Sequence, residues 1–331
     1  MKDRLSTLLK IAVSLGLIAY LFIRMDLNQV GEALKSANYW HLVPAGLCFL
    51  AAMTNAGLKW YILLRAQGIQ APFRAVLGYT YVGFFFNNFL PANVGGDVMR
   101  GYGLARYTEQ APEAAVSVVV DRIVGLMAFM SSAVVATLVA IYVMGQDNLQ
   151  QVEVAAVMGL MIIVIGFAVI LSRRVRALIG RLFVLKPLTP FALIYNRLSE
   201  ALNAYRHSYG ALALAFFVAL LTMVLTSFTD YFIVQSLGGG IPLIYIFIFN
   251  PIIAFVLAFP ISIGGLGVTQ AVYPFFYGLV GIPASLAFTV SLLKQLIIYA
   301  TGLVGGVLWW RQGRRQRRTG ESEAHSDAVV T

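Results

Sequence analysis

The sequence predicts an all-α polytopic membrane protein: an inverted-topology internal repeat with six full spans plus two re-entrant or broken helical hairpins, eight if the hairpins are counted as crossings. Three observations predict it. Hydrophobic residues make up 60% of the 331 and charged residues 11%. Apolar stretches of roughly 20 residues, the length that crosses about 30 Å of hydrocarbon, recur along the chain. Basic residues crowd into every second connection. A transmembrane barrel would show short segments of alternating polarity, and stretches such as "GLMAFMSSAVVATLVAIYVMG" do not alternate.

In chain order, the apolar segment 8–23 lacks an A-x-A-like cleavage site and runs on into "FIRMD", so it reads as a retained first helix rather than a signal peptide. Full spans are expected at 8–24, 39–64, 118–144, 152–171, 210–236 and 284–309. The apolar regions 75–107 and 243–282 each must enter and leave on one side if the charge pattern is to hold. Lys2, Arg4 and Lys10 open the chain; Lys59, Arg65 and Arg74 are grouped after the second segment as a cytoplasmic anchor; seven basic residues from Arg173 to Arg206 fill one loop. The connections between these carry almost no basic residues. The positive-inside rule therefore puts both termini in the cytoplasm and the protein in the cytoplasmic (inner) membrane. Residues 1–310 read as one transmembrane domain, with repeat 1 about 5–144 and repeat 2 about 150–310; residues 311–331 read as a basic, disordered cytoplasmic tail.

The net charge of +10 lies in loops and tails, not on a soluble face with stacking aromatics, which argues against nucleic acid. Cys48 is the only cysteine, so neither a disulfide framework nor a cysteine metal site is available.

The repeat is carried by "LPANVGG" (90–96) and "FPISIGG" (259–265), which share P-x-x-(Val/Ile)-G-G 169 residues apart. "GEALKSA" (31–37) and "SEALNAY" (199–205) keep nearly that spacing, Pro112 and Pro283 each precede the last span of a half, and Asp121-Arg122 lies near the counterpart of Leu293-Lys294. Each half then has three crossings, an odd number, so the second half sits upside down relative to the first. Transporters use such inverted repeats, bringing broken helices from both halves together near the midplane.

The candidate site starts at "NNFLPANVGGDVMRGY" (87–102). Pro91 must stop the preceding helix, and Gly95-Gly96 lets the chain turn tightly with amide N–H groups uncovered. A turn opening a new helix presents donors and a positive dipole end, suited to phosphate or carboxylate. Asn87, Asn88, Asn93, Asp97 and Arg100 surround it, and Arg100 and Arg106 can each bind two phosphate oxygens at once. The plainer reading is that Asp97 caps the helix while the arginines anchor a cytoplasmic turn. In the second half Asn250-Pro251 interrupts the apolar segment, Ser262 flanks Gly264, Gly265 and Gly267, and Gln270 follows. Lys294 lies about ten residues inside the last span, where a charge costs about 2.5–3.5 kcal/mol and normally faces a cavity or a partner. Asp121-Arg122 reads as either a buried or an interfacial pair, and Asp230 as interfacial near an outer helix end. His41, His207 and His325 are scattered, so no zinc motif forms, and no phosphate-binding G-x-x-x-x-G-K-S/T loop exists; no cofactor or metal is expected.

"NNFLPANVGGDVMRGYGLAR" with "AAVSVVVDRIVGL" (114–126) and "PISIGGLGV" (260–268) resembles the flippase-like family, the transmembrane region of lysylphosphatidylglycerol synthetases and its stand-alone bacterial and archaeal relatives, over roughly residues 8–309. The resemblance implies a lipid translocase-like domain whose cargo is a modified phospholipid or related lipid. The soluble aminoacyltransferase domain of full-length synthetases is not expected in a tail of 311–331, so synthase activity is not expected either. Where that family often places an acid shortly after the second G-G-x-G, this chain has Thr269-Gln270, so the resemblance does not extend to a proton-coupled role for that hairpin. The expected partners are membrane lipids, an anionic phospholipid or a polyprenyl phosphate. Two further readings stand beside the flippase: an accessory subunit for a separate glycosyltransferase or synthetase, and a membrane-embedded enzyme acting on lipid phosphate.

Overall fold

The computed structural model describes residues 27–89, 95–145, 149–182, 189–258, 262 and 264–330. Pro91 and Asn93, named above, and the expected first span at 8–24 lie outside the described residues. Among the described residues the regular structure is helical throughout.

Among the described residues five helical stretches are long and apolar enough to cross a membrane: Tyr39–Ala66, Ala111–Val143, Gln150–Leu171, Tyr209–Ser236 and Ala284–Arg311. They coincide with the expected spans that fall on described residues. The short amphipathic α1 (Leu27–Lys35) precedes them. Helix α2 (Leu42–Ala66) follows a 3₁₀ turn. Helices α3 (Phe73–Phe89) and α4 (Gly95–Thr108) pack against each other as a first helical hairpin. Helix α5 (Ala111–Leu138) carries Pro112 in its first turn, where the missing N–H needs no partner, and passes into a π-turn at Val139–Val143. Helix α6 (Gln150–Leu171) turns Ile162 and Ile165 outward, apolar as a lipid-facing surface requires. Helices α7 (Arg173–Leu182) and α8 (Thr189–Arg206) form the basic connection.

The second half comprises α9 (Tyr209–Ser236), the hairpin helices α10 (Leu243–Ala258) and α11 (Val268–Gly278), and α12 (Ala284–Val330). Asn250-Pro251 does not interrupt its segment as expected, because α10 continues through Pro251. One carbonyl loses its usual N–H there, which buried neighbours in a membrane protein can tolerate. Helix α12 runs on to Val330 through a stretch without proline. The hairpin helices have 17, 14, 16 and 11 residues. At 1.5 Å per residue these reach roughly 17–26 Å, short of the ~30 Å hydrocarbon core.

Packing crosses between the halves. Helix α2 lies along α9, α3 of the first hairpin packs on α12, and α10 of the second hairpin packs on α5. The largest apolar core gathers Phe49, Ile233, Ile248, Phe249 and Leu293 from four helices, together with Tyr273 and Tyr277 of α11. Close approach of α12 to α3 needs glycine: a Cβ on Gly305 would overlap the Tyr81 carbonyl. This arrangement buries two polar clusters between helices of otherwise apolar composition.

Candidate functional site

The first cluster forms where α2, α4 and α5 meet. Arg100 is buried on α4, and its Nε donates to Asp97 Oδ1 at 3.0 Å while Nη2 donates to Asp121 Oδ2 at 2.9 Å. Its guanidinium carbon stands 4.8 Å over the Trp60 ring, whose Nε1 donates to Ser117 Oγ at 3.0 Å. The ring thus holds the cation from one face while two carboxylates hold its edge. Lys59 Nζ lies 3.1 Å from Asp121 Oδ1 and donates to the Asp121 carbonyl at 2.8 Å. Arg122 Nε donates to Asp97 Oδ2 at 2.6 Å, with its side chain 43% exposed at the cluster's edge. Among the described residues three cations therefore share two carboxylates, one positive charge in excess.

The second cluster joins α9, α10, α11 and α12. Lys294 Nζ donates to Asp230 Oδ2 at 2.8 Å and to Asn250 Oδ1 at 3.0 Å, and lies 5.5 Å from the centre of the Tyr273 ring. Tyr273 Oη donates to the same Asp230 oxygen at 2.9 Å. Asn250 Nδ2 is held by Thr226 Oγ1 at 3.1 Å and Ser227 Oγ at 3.0 Å, so its carbonyl must face the lysine. One cation meets one carboxylate, and the cluster is neutral.

A side chain covers one backbone donor beside each glycine pair. Gly96 N–H donates to Asn87 Oδ1 at 2.8 Å, and Gly267 N–H donates to Gln270 Oε1 at 2.7 Å. Gly264, Gly265 and Gly267 have φ of 56°, 76° and 80°, the left-handed region where a side chain would be strained. A Cβ on Gly264 would come 2.5 Å from the Asn88 carbonyl oxygen, so the second turn touches the end of the first hairpin's leading helix. Asn88 Nδ2 also donates to the Ile298 carbonyl at 3.5 Å, tying that point to α12.

A model of the lysylphosphatidylglycerol synthase transmembrane region matches residues 7–306. The chain belongs to this family. Among relatives, a UPF0104 membrane protein of Methanothermobacter thermautotrophicus is 24% identical over 87% of this chain and 90% of its own length. A UPF0104 membrane protein of Pyrococcus horikoshii is 23% identical over 91% of this chain and 95% of its own. The family match thus covers both hairpins and both clusters.

Asp97, Arg100, Asp121 and Arg122 come together as one network, and Asn250 and Lys294 as another. Asp97 is not a helix cap: its carboxylate faces Arg100 and Arg122, and Asn87 serves the Gly96 amide instead. Asp121 and Arg122 are not each other's partners, since neighbouring positions on a helix point about 100° apart. Arg106 is exposed on the last turn of α4, and Gly95 is partly buried at its start. Two expectations are overturned. Lys59 is no cytoplasmic anchor but a buried partner of Asp121. Asp230 is not interfacial but fully buried against Lys294. In both cases an opposite charge on a facing helix makes burial tolerable. Lys59 carried the same signal as Lys294, an ionisable residue flanked by apolar turns, but its nearness to Arg65 hid it. Trp60 and Tyr273 gave no signal among so many aromatics.

Proposed function

We propose that this chain is a lipid flippase, or a transporter of the same mechanism, that moves an anionic lipid or polyprenyl-phosphate-linked headgroup across the cytoplasmic membrane, with both termini cytoplasmic. The observation that carries the reading is the cationic excess of the first cluster, at the helix start that follows a hairpin break. A phosphate arriving there has Arg122 at the exposed edge as its first contact and binds beside Asp97, its added negative charge taking up the surplus positive charge. Acyl or prenyl tails stay in the bilayer while the headgroup passes between the halves. The family's description, a lipid synthase's transmembrane region, supports lipid as the class of cargo.

An inverted repeat of broken hairpins supplies the moving parts in this reading. Its support is the paired packing: α3 on α12 and α10 on α5, α4 on α5 and α11 on α12. Each of these contacts in one half has a counterpart in the other. The ion pairs follow the same pattern with signs exchanged, Lys59 of α2 with Asp121 of α5 against Asp230 of α9 with Lys294 of α12.

Reconstitution in liposomes with fluorescent phosphatidylglycerol and polyprenyl-phosphate probes tests the reading. Wild type should move at least one probe between leaflets faster than protein-free vesicles, and Asp97→Asn, Arg100→Ala and Lys294→Met should slow it. No acceleration by wild type over either probe removes the proposal. Equal rates in all variants would keep transport and remove the site.

A further inference from the structure

We infer that Asp230 is a proton-binding site that couples proton movement to the transport cycle, with Lys294 as the partner it releases on protonation; the coupling rests on the transport reading above. Among the described residues the buried carboxylates are Asp121 and Asp230. Their surroundings differ. Asp121 has a cation on each oxygen, Lys59 at 3.1 Å from Oδ1, though without hydrogen-bond alignment, and Arg100 at 2.9 Å from Oδ2. Asp230 places both of its hydrogen bonds on Oδ2, from Lys294 and Tyr273, and its Oδ1 has no partner among the described residues. The Tyr277 hydroxyl, one turn along α11 from Tyr273 with ring centres 5.8 Å apart, is likewise buried without a partner.

Charge separates the two acids. A proton added to Asp121 would leave three cations facing a single carboxylate in a buried site. A proton added to Asp230 turns a neutral pair into a single cation, which the Asn250 carbonyl and the Tyr273 ring already hold. Groups on the surrounding elements are compatible with this. Helix α12 offers Lys294 and Gln295, α11 offers Tyr273 and Tyr277, and α10 offers Asn250. On α2, Asn55 binds Thr222 of α9, while Lys59 is turned to Asp121. On α5, Asp121 and Arg122 belong to the first cluster. The 3₁₀ turn carrying His41 joins α9 near its far end, at Ser236, and α8 with Arg206 leads into its start at Tyr209.

The step conserves atoms. One proton from the aqueous phase forms an O–H bond at Asp230 Oδ1, and Lys294 keeps its three protons. The site passes from neutral to one positive charge, and the ammonium loses the counter-charge that ties α12 to α9. Release of the same proton to the other side restores the pair. Gln270 cannot do this: it does not titrate, and its carbonyl is committed to Gly267.

Infrared difference spectroscopy on the full chain in phosphatidylethanolamine–phosphatidylglycerol vesicles reads the site without any cargo. Acidification of wild type should raise a protonated-carboxyl C=O band that Asp97→Asn keeps and Asp230→Asn lacks. Asp230→Glu should shift the band in frequency without abolishing it, which excludes misfolding as the cause of its loss. A band that persists in Asp230→Asn, or none in wild type, overturns the proton site. In the same vesicles an imposed pH gradient should speed fluorescent phosphatidylglycerol movement in wild type and leave Asp230→Asn unchanged. A gradient effect that survives in Asp230→Asn overturns the coupling. The absence of lipid movement under any condition, with the band intact, would count against the flippase reading while leaving the proton site standing.

Discussion

Removing Lys294 while leaving Asp230 should destabilise the protein more than removing both charges. Asp230 is 0% exposed, and Lys294→Met strips it of the one ionic partner it has among the described residues, leaving the Tyr273 hydroxyl on the carboxylate. Breaking a buried pair in this way costs about 3–5 kcal/mol, chiefly the penalty of a stranded charge. In the double variant Asp230→Asn with Lys294→Met no charge is stranded. What is lost is the pair itself and the bond to Asn250, and interhelical hydrogen bonds in membrane proteins average about 0.6 kcal/mol each. The double variant should then lie within about 2 kcal/mol of wild type, so the second substitution restores roughly 1–3 kcal/mol. Reversible unfolding in mixed micelles, followed by helicity as the denaturing detergent fraction rises, measures all the corners of the cycle. A double variant less stable than Lys294→Met alone would refute the premise that the pair is a matched, buried charge couple.

The first cluster should behave differently, because Asp121 retains Arg100 when Lys59 is gone. Lys59→Met is expected to cost under about 2 kcal/mol and Asp121→Asn about 3–5, as the latter leaves two buried cations facing each other; thermal midpoints of the solubilised variants in the opposite order would contradict the assignment. Gly96→Ala should cost about 1–3 kcal/mol or prevent folding, since its Cβ would overlap the Gly83 carbonyl, whereas Gly166→Ala, with nothing within 4 Å, should gain up to about 1. Equal yields and melting points for those two would remove the close approach of α3 and α4. Arg100→Lys should slow phosphatidylglycerol movement roughly tenfold, equivalent to about 1.4 kcal/mol, because an ammonium cannot span two carboxylates and stack on Trp60. Wild-type rates in that variant would show that the planar fork has no part in transport.

The helical class and the positions of the long spans were legible in the sequence because they depend on local quantities: run length, apolar content and the placement of Lys and Arg. The second turn was legible for the same reason, since the closely spaced glycines at 264–267 punctuate a chain wherever they occur, although Pro251 shows that a buried helix can carry a proline through. Asp97, Arg100 and Lys294 stood out as polar groups in oily surroundings. Their partners did not. Whether Lys59 anchors a membrane face or pairs in the interior depends on what α5 presents to α2, and whether Asp230 meets water or Lys294 depends on how α9 and α12 pack. Those contacts lie 62 and 64 residues apart along the chain. The sequence by itself determined which residues would be costly to bury; only the tertiary structure decided which cation each carboxylate would meet, because opposite charges are brought within reach by helix packing, which no local pattern records.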